Sequence, residues 1–142
     1  MAAAGSRAAA AALALALSGC TSMAAGARTF EGTHWHISAI NGHPTPKSGR
    51  FGMEFANGQF SVQAGCNTAG GSYRVEGDML RPSPVRSTQM ACDSIEDLPV
   101  PLMTFERWGF AVLGQPMQMH WKSGKELTLR NAAGSIELEL LP

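Results

Sequence analysis

The stretch RFGMEFANGQFSV, residues 50–62, decides the fold. Its apolar residues Phe51, Met53 and Phe55 alternate with other residues, and the alternation resumes after Asn57-Gly58. A period of two predicts a strand with one buried face. Asn-Gly is typical of a two-residue hairpin turn, because both turn positions need positive φ. The stretch therefore predicts a β-hairpin of two antiparallel strands.

Short alternating runs on both sides of this hairpin predict further strands. THWHISAI (33–40) precedes it, SYRV (72–75) and MLRP (79–82) form a second hairpin around Gly77, and MQMHWK (117–122), ELTLR (126–130) and SIELEL (135–140) follow. Tight turns between such strands indicate an antiparallel meander. About eight short strands would leave exposed edges unless the sheet curls. We expect a mainly β (α+β) fold, a small antiparallel barrel that is closed or incomplete.

One helix is predicted late in the chain. Leu102, Phe105, Trp108 and Val112 recur at three and four residues, as on the apolar face of a helix. Prolines 99 and 101 cannot lie deep inside a helix, which places its start near residue 100, and the glycine at 114 ends it. We expect this helix, residues 100–113, to pack across one opening or face of the barrel.

Residues 1–22, MAAAGSRAAAAALALALSGCTS, are typical of an export signal. Arg7 precedes an apolar run over residues 8–17, and small residues follow. This run is too short to cross a bilayer, which takes about 20 residues. Leu17-Ser18-Gly19-Cys20 resembles the bacterial lipobox. The sequence therefore predicts a signal peptide over residues 1–19, a lipidated Cys20 with a flexible tether to residue 29, and a domain over residues 30–142.

Lipidation at Cys20 would make the membrane the protein's first partner, because buried acyl chains anchor a protein firmly. Thr21 follows Cys20 where the Gram-negative sorting rule would need Asp for the inner membrane, so we expect an outer-membrane lipoprotein that faces the periplasm. A secreted or soluble periplasmic protein remains open, since Ala25-Gly26-Ala27 fits the A-x-A cleavage pattern. The chain has 11 basic and 11 acidic side chains, which gives no support for nucleic-acid binding.

Lipidation would account for Cys20, one of the three cysteines of the chain. The state of the other two, Cys66 and Cys92, depends on the compartment. In an oxidising compartment, two remaining cysteines most simply pair with each other. Such a bridge would close a loop of roughly 26 residues and contribute about 3 kcal/mol in the chain-entropy model. Two free, buried thiols are the alternative. A catalytic cysteine would need a base beside it, which the sequence does not indicate.

The sequence predicts no catalytic residue, metal or cofactor. His34 and His36 share one strand face, but no ligand lies near them at metal spacing, so we interpret them as exposed histidines flanking a core Trp. Met117 and Met119 beside His120 are similar to soft copper ligands, yet their alternation predicts core packing. Neither a G-x-S-x-G element nor a phosphate loop is present.

Three short motifs resemble those of one known family. They are T-x-W-x-I near the start, GCN with a later G-x-Y, and T-x-M-A-C before the helix. In this order, and behind a lipoprotein signal, the chain resembles the META domain family, also called HslJ-like, over roughly residues 30–141. Prolines 99 and 101 interrupt a helix that is often continuous in the family. The motif positions are Thr33, Trp35, Ile37, Gly65, Cys66, Asn67, Gly71, Tyr73, Thr88, Met90, Ala91 and Cys92.

The resemblance implies a barrel-like sheet with a helix, in a bacterial envelope or secreted protein. It links the protein to stress responses and antibiotic tolerance, without an established catalytic activity, and implies that Cys66 and Cys92 form a bridge or a packed pair. We expect a non-enzymatic binding or support role in the envelope, with an envelope protein as a candidate partner. Two alternatives remain: an inhibitor of a periplasmic or host enzyme such as lysozyme, and a carrier of a small apolar ligand inside the barrel.

Overall fold

The computed structural model describes residues 29–94 and 97–142. The predicted signal peptide, Cys20 and the tether up to residue 28 lie outside the described residues. The described part contains nine strands and one helix. They are β1 (Thr33–Ile40), β2 (His43–Pro44), β3 (Phe51–Ala56), β4 (Gln59–Ala64), β5 (Thr68–Glu76), β6 (Met79–Ser87), α1 (Leu102–Leu113), β7 (Met117–Trp121), β8 (Glu126–Asn131) and β9 (Gly134–Leu140).

Eight of the strands form a closed antiparallel barrel. The order around the barrel is β1, β3, β4, β5, β6, β7, β8 and β9, and β9 pairs with β1 to complete the circle. The short β2 adds a ninth strand at the end of β1. The predicted fold class is confirmed, and of the two forms left open the barrel takes the closed one, which removes most free edges.

Both predicted hairpins are confirmed. Asn57 and Gly58 have φ values of 55° and 70°, as the tight turn between β3 and β4 requires. The second hairpin turns at Gly77-Asp78, but its strands are longer than predicted, and β5 begins at Thr68 instead of residue 72. The reason is close backbone packing at Gly71, where a Cβ atom would collide with the carbonyl of Pro84 on β6.

The helix begins two residues later than predicted, directly after Pro101. A residue that precedes proline is disfavoured in the helical conformation, which excludes Val100. Gly114 ends the helix, and its N–H donates to Phe110 O at 3.0 Å. Gly109 packs closely on Ala64 of β4, so α1 covers one opening of the barrel, as expected. We call this opening the helix end.

The barrel interior is filled by side chains. Most of them are Phe, Ile, Leu, Val and Met residues of the strands, and they form one cluster with the buried face of α1. Met117 and Met119 are buried in this cluster and His120 is exposed, which confirms the predicted core packing. Among residues 29–94 and 97–142, no helix has the length and hydropathy needed to cross a bilayer.

Phe30 closes the opposite opening, which we call the tether end because the chain enters the barrel there. Its ring is 2% exposed and lies 4.6 Å from the ring of Phe55 and 5.8 Å from that of Trp121, between ring centroids. Trp35 and Tyr73 complete the aromatic cluster. Aromatic rings contribute large buried areas, so Phe30 acts as an apolar plug.

The carboxylate of Glu31 fastens this plug to the barrel rim. It accepts hydrogen bonds from the backbone N–H groups of Asn57 at 2.7 Å and Gly58 at 2.8 Å, and from the hydroxyl of Tyr73 at 2.8 Å. The bonds from Tyr73 and from Gly58 lower the pKa of Glu31 below 4.5. Burial of the phenol, the hydrogen bond to Glu31 and the charge of Glu31 together raise the pKa of Tyr73 to about 12, with burial the largest cause.

We predict that the single tyrosine of this chain titrates far above its usual range. Phenolate absorbance should appear with a pKa of about 12 in the folded protein. Because the folded state favours the protonated phenol, its contribution to stability should be complete below pH 10 and decline between pH 10 and about 12.

Glu31→Gln should bring the pKa of Tyr73 down toward 10 but not fully to it, since burial remains. Glu126→Gln, which removes a carboxylate that bonds to Ser123, is the matched control and should leave the titration unchanged. An unshifted Tyr73 in the wild-type protein would contradict the Glu31 contact.

Candidate functional site

A disulfide joins the two motif cysteines at the helix end. Cys66 and Cys92 are bonded, with their Cα atoms 5.9 Å apart and a sequence separation of 26. The predicted bridge is confirmed, and the alternative of two free thiols is wrong. The bridge ties the segment that follows β6 to the loop that precedes β5. Closing a loop of this length contributes about 3 kcal/mol in the chain-entropy model.

Asn67 makes four hydrogen bonds with its side-chain amide and is 2% exposed. Its Oδ1 accepts from the N–H of Met90 at 2.7 Å and from the hydroxyl of Thr88 at 3.0 Å. Its Nδ2 donates to Met90 O at 2.8 Å and to Oε1 of Glu106 at 2.7 Å. The amide therefore pairs with both backbone groups of Met90, as a neighbouring strand would. Both N–H groups of the amide donate, and its oxygen accepts twice.

Glu106 of α1 is the residue that completes this arrangement, and it is 7% exposed. Its Oε2 accepts from the backbone N–H groups of Cys66 at 3.0 Å and Asn67 at 2.6 Å, in addition to the bond between Oε1 and the Asn67 amide. A buried carboxylate is costly unless donors surround it, and bonds to a charged acceptor contribute about 1.5–3 kcal/mol each. Glu106 thus joins the helix to the barrel.

Sequence reasoning missed Glu106, although a signal for it exists. Leu102, Glu106, Gly109 and Leu113 all lie on the buried face of α1. Their spacing of three and four residues is that of a core-facing stripe. A carboxylate at such a position requires hydrogen-bond donors from another element.

Gly65 lets the loop approach the start of the helix. Its φ is 141°, and a Cβ atom there would lie 2.9 Å from the carbonyl oxygen of Leu102. Thr88 extends the β5–β6 pairing by one residue. Its N–H donates to Thr68 O at 3.0 Å and its hydroxyl accepts from Thr68 N at 3.2 Å. We call the assembled set the motif cluster: Gly65, Cys66, Asn67, Thr88, Met90, Cys92 and Glu106.

The remaining motif residues lie elsewhere. Trp35 and Tyr73 belong to the aromatic cluster at the tether end, where the indole Nε1 of Trp35 donates to Thr33 Oγ1 at 2.9 Å. Gly71 lies within β5. The family motifs therefore mark two structural contacts, one at each end of the barrel, and not one site.

The motif cluster leaves the side chain of Met90 in solvent while fixing its backbone. Met90 is 60% exposed, more than any other large apolar residue in the described part of the chain. In the segment from Thr88 to Ser94, every residue except Cys92 is exposed. Since Cys66 is in a disulfide and the polar atoms of Asn67 and Glu106 are occupied, the cluster is suited to holding this segment in place.

The two strand histidines do not form a metal site. His34 is exposed, with Nδ1 3.5 Å from a carboxylate oxygen of Glu54. His36 is 7% exposed and its Nδ1 lies 3.1 Å from Phe51 O, so its predicted exposure is wrong. The ring contacts the backbone of Phe51 on β3, a partner that strand periodicity does not indicate. In the part of the chain that the structure describes, no three His, Cys, Asp or Glu residues are placed to hold a metal.

We predict that Glu106→Gln destabilises the protein by about 2 kcal/mol, because the new amide must turn an N–H group toward the Asn67 or backbone donors. The free energy of unfolding, from urea denaturation with the disulfide intact, measures the loss. Glu54→Gln removes an exposed carboxylate of the same size and should change stability by less than about 0.5 kcal/mol. Equal effects of the two substitutions would contradict the role given to Glu106.

Comparison with known proteins identifies the family. The model of the META domain matches residues 28–139. An NMR structure of another protein has a TM-score of 0.63 at 18% identity and covers 78% of this chain and 90% of its own. An NMR structure of a protein from Burkholderia xenovorans has a TM-score of 0.60 at 17% identity, with 79% and 83% covered. These two show a shared fold, and no curated protein matches. The chain belongs to the META domain family.

Proposed function

We propose that this protein is a non-enzymatic lipoprotein of the bacterial envelope that binds a protein partner through the segment from Thr88 to Ser94. One observation carries the proposal: the disulfide and Asn67 hold the backbone of this segment while Met90 stays 60% exposed. A binding segment that is already ordered loses little conformational entropy when its partner docks. Exposed apolar side chains on a fixed backbone are typical of such surfaces.

The direction in which the chain enters the barrel supports this assignment. The described chain begins at Thr29 beside the Phe30 plug, and the motif cluster lies at the other end of the barrel. A lipid on Cys20 would hold the tether end within about 30 Å of the membrane, the reach of nine extended residues. The segment from Thr88 to Ser94 would then face away from the membrane, toward periplasmic partners. The disulfide is consistent with that oxidising compartment.

A role in envelope stress or antibiotic tolerance is the wider setting that we propose for this binding. Membership of the META domain family supports it. A strain that lacks the protein should grow less well under envelope stress, and wild-type protein should restore growth. Cys20→Ser, which removes the lipid attachment, should restore it poorly if the anchor matters. Full restoration of growth by that variant would show that the role in stress does not require lipidation.

The direct test is recovery of partners from crosslinked envelopes with three forms of the full-length protein. Wild type should recover one stoichiometric partner. Met90→Ser keeps the backbone bonds to Asn67 and should lose most of that partner. Val75→Ser is the matched control, because Val75 is also an exposed apolar residue, at 40%, near the tether end. Equal recovery by all three forms, or no specific partner with wild type, would overturn the proposal.

Inhibition of an enzyme is the second candidate, and the same fixed segment favours it. An exposed, disulfide-held segment can bind in the cleft of an enzyme such as lysozyme without losing much conformational freedom. Lysozyme activity measured with and without excess protein tests this directly, and unchanged activity removes lysozyme as the target. The filled interior gives no support to the carrier hypothesis, because side chains occupy the space that an apolar ligand would need.

A further inference from the structure

A cavity of about 310 Å³ lies on the outer wall of the barrel, between β9, β1 and β3. In the sheet, His36 of β1 is paired with Gly52 of β3 on one side and with Glu139 of β9 on the other. Because Gly52 has no side chain, the backbone of β3 is not covered at this position. Lys47 and Leu141 contribute to the rim. This cavity is near the lower size limit of small-molecule sites, about 300–1,000 Å³.

His36 is a buried polar group that lines the cavity. It is 7% exposed, and its Nδ1 lies 3.1 Å from the carbonyl oxygen of Phe51. A carbonyl accepts, so Nδ1 carries the hydrogen, and the neutral ring then has a lone pair on Nε2. Nε2 has no hydrogen-bond partner within the described residues, and it is not among their fully buried unpaired atoms. The ring therefore offers the cavity a hydrogen-bond acceptor.

Two opposite charges line the same cavity without pairing. Lys47 and Glu139 both contribute to the lining. Neither has an ion-pair partner within 4.0 Å in residues 29–94 and 97–142, although four other pairs are present there. A cation and an anion that flank one cavity and do not neutralise each other suit a ligand that carries both charges.

We propose that this cavity binds a small zwitterion with an apolar body, namely an apolar amino acid or a short peptide. Its ammonium group would lie near Glu139 and the Nε2 of His36, both of which accept. Its carboxylate would lie near Lys47, and its apolar part would cover Gly52 and Leu141. The site lies on the barrel wall and uses no residue of the motif cluster, so it does not depend on the function proposed above.

The test is an NMR titration of the uniformly ¹⁵N-labelled protein with four probes. Leucine and the dipeptide Leu-Leu carry both charges, N-acetylleucine lacks the ammonium, and leucinamide lacks the carboxylate. Leucine or the dipeptide should shift the amide signals of residues 36, 47–52 and 139–141, and each blocked probe should bind at least several-fold more weakly. Tighter binding of leucine than of Leu-Leu would identify a free amino acid as the ligand, and the reverse would identify a peptide.

Gly52→Val provides the structural control. A Cβ atom at this position would meet only Trp35 O, at 3.5 Å, which is ordinary contact, and valine suits a strand. The variant should therefore fold, with an unchanged melting temperature, and lose the shifts. Lys47→Gln should weaken binding several-fold, whereas Lys125→Gln, which removes another exposed lysine, should not. No shifts with any probe, or shifts that persist in Gly52→Val, would overturn the proposal.

Discussion

The Glu106 carboxylate, buried between α1 and the barrel, is the contact on which the motif cluster depends. A buried charge must be surrounded by donors, and here the donors are the N–H groups of Cys66 and Asn67 together with the Asn67 amide. Once Asn67 is oriented in this way, the rest of its amide bonds to the backbone of Met90 and accepts from the Thr88 hydroxyl. The helix, the β4–β5 loop and the exposed segment therefore form one unit, which the disulfide makes covalent.

The two ends of the barrel are closed by different physical means. A polar network under a helix closes one end, and the apolar plug Phe30, fastened by Glu31, closes the other. Because side chains fill the space between them, we look for function on the outer surface. That surface offers the exposed side chain of Met90 and the cavity beside His36.

Local sequence patterns predicted the strands, the hairpins and the helix, because periodicity and turn chemistry act over a few neighbouring residues. Asn57-Gly58 is the clearest case, since its two positive φ values follow from residue type. Contacts between distant residues were not predictable in the same way. The bond between Glu106 and Asn67 spans 39 residues, and the contact of the buried His36 ring with the carbonyl of Phe51 spans 15. The two-residue strand β2 was missed because it is too short to show alternation.

Native-state hydrogen exchange tests the central claim most directly. The backbone amides of Cys66, Asn67 and Met90 donate to side chains and not to neighbouring strands. If Glu106 and Asn67 hold the helix, the loop and the segment as one unit, these three amides should exchange as slowly as the amides paired between β3 and β4, and only through global unfolding. Exchange at the rate of exposed loop amides, while β3 and β4 remain protected, would contradict the account.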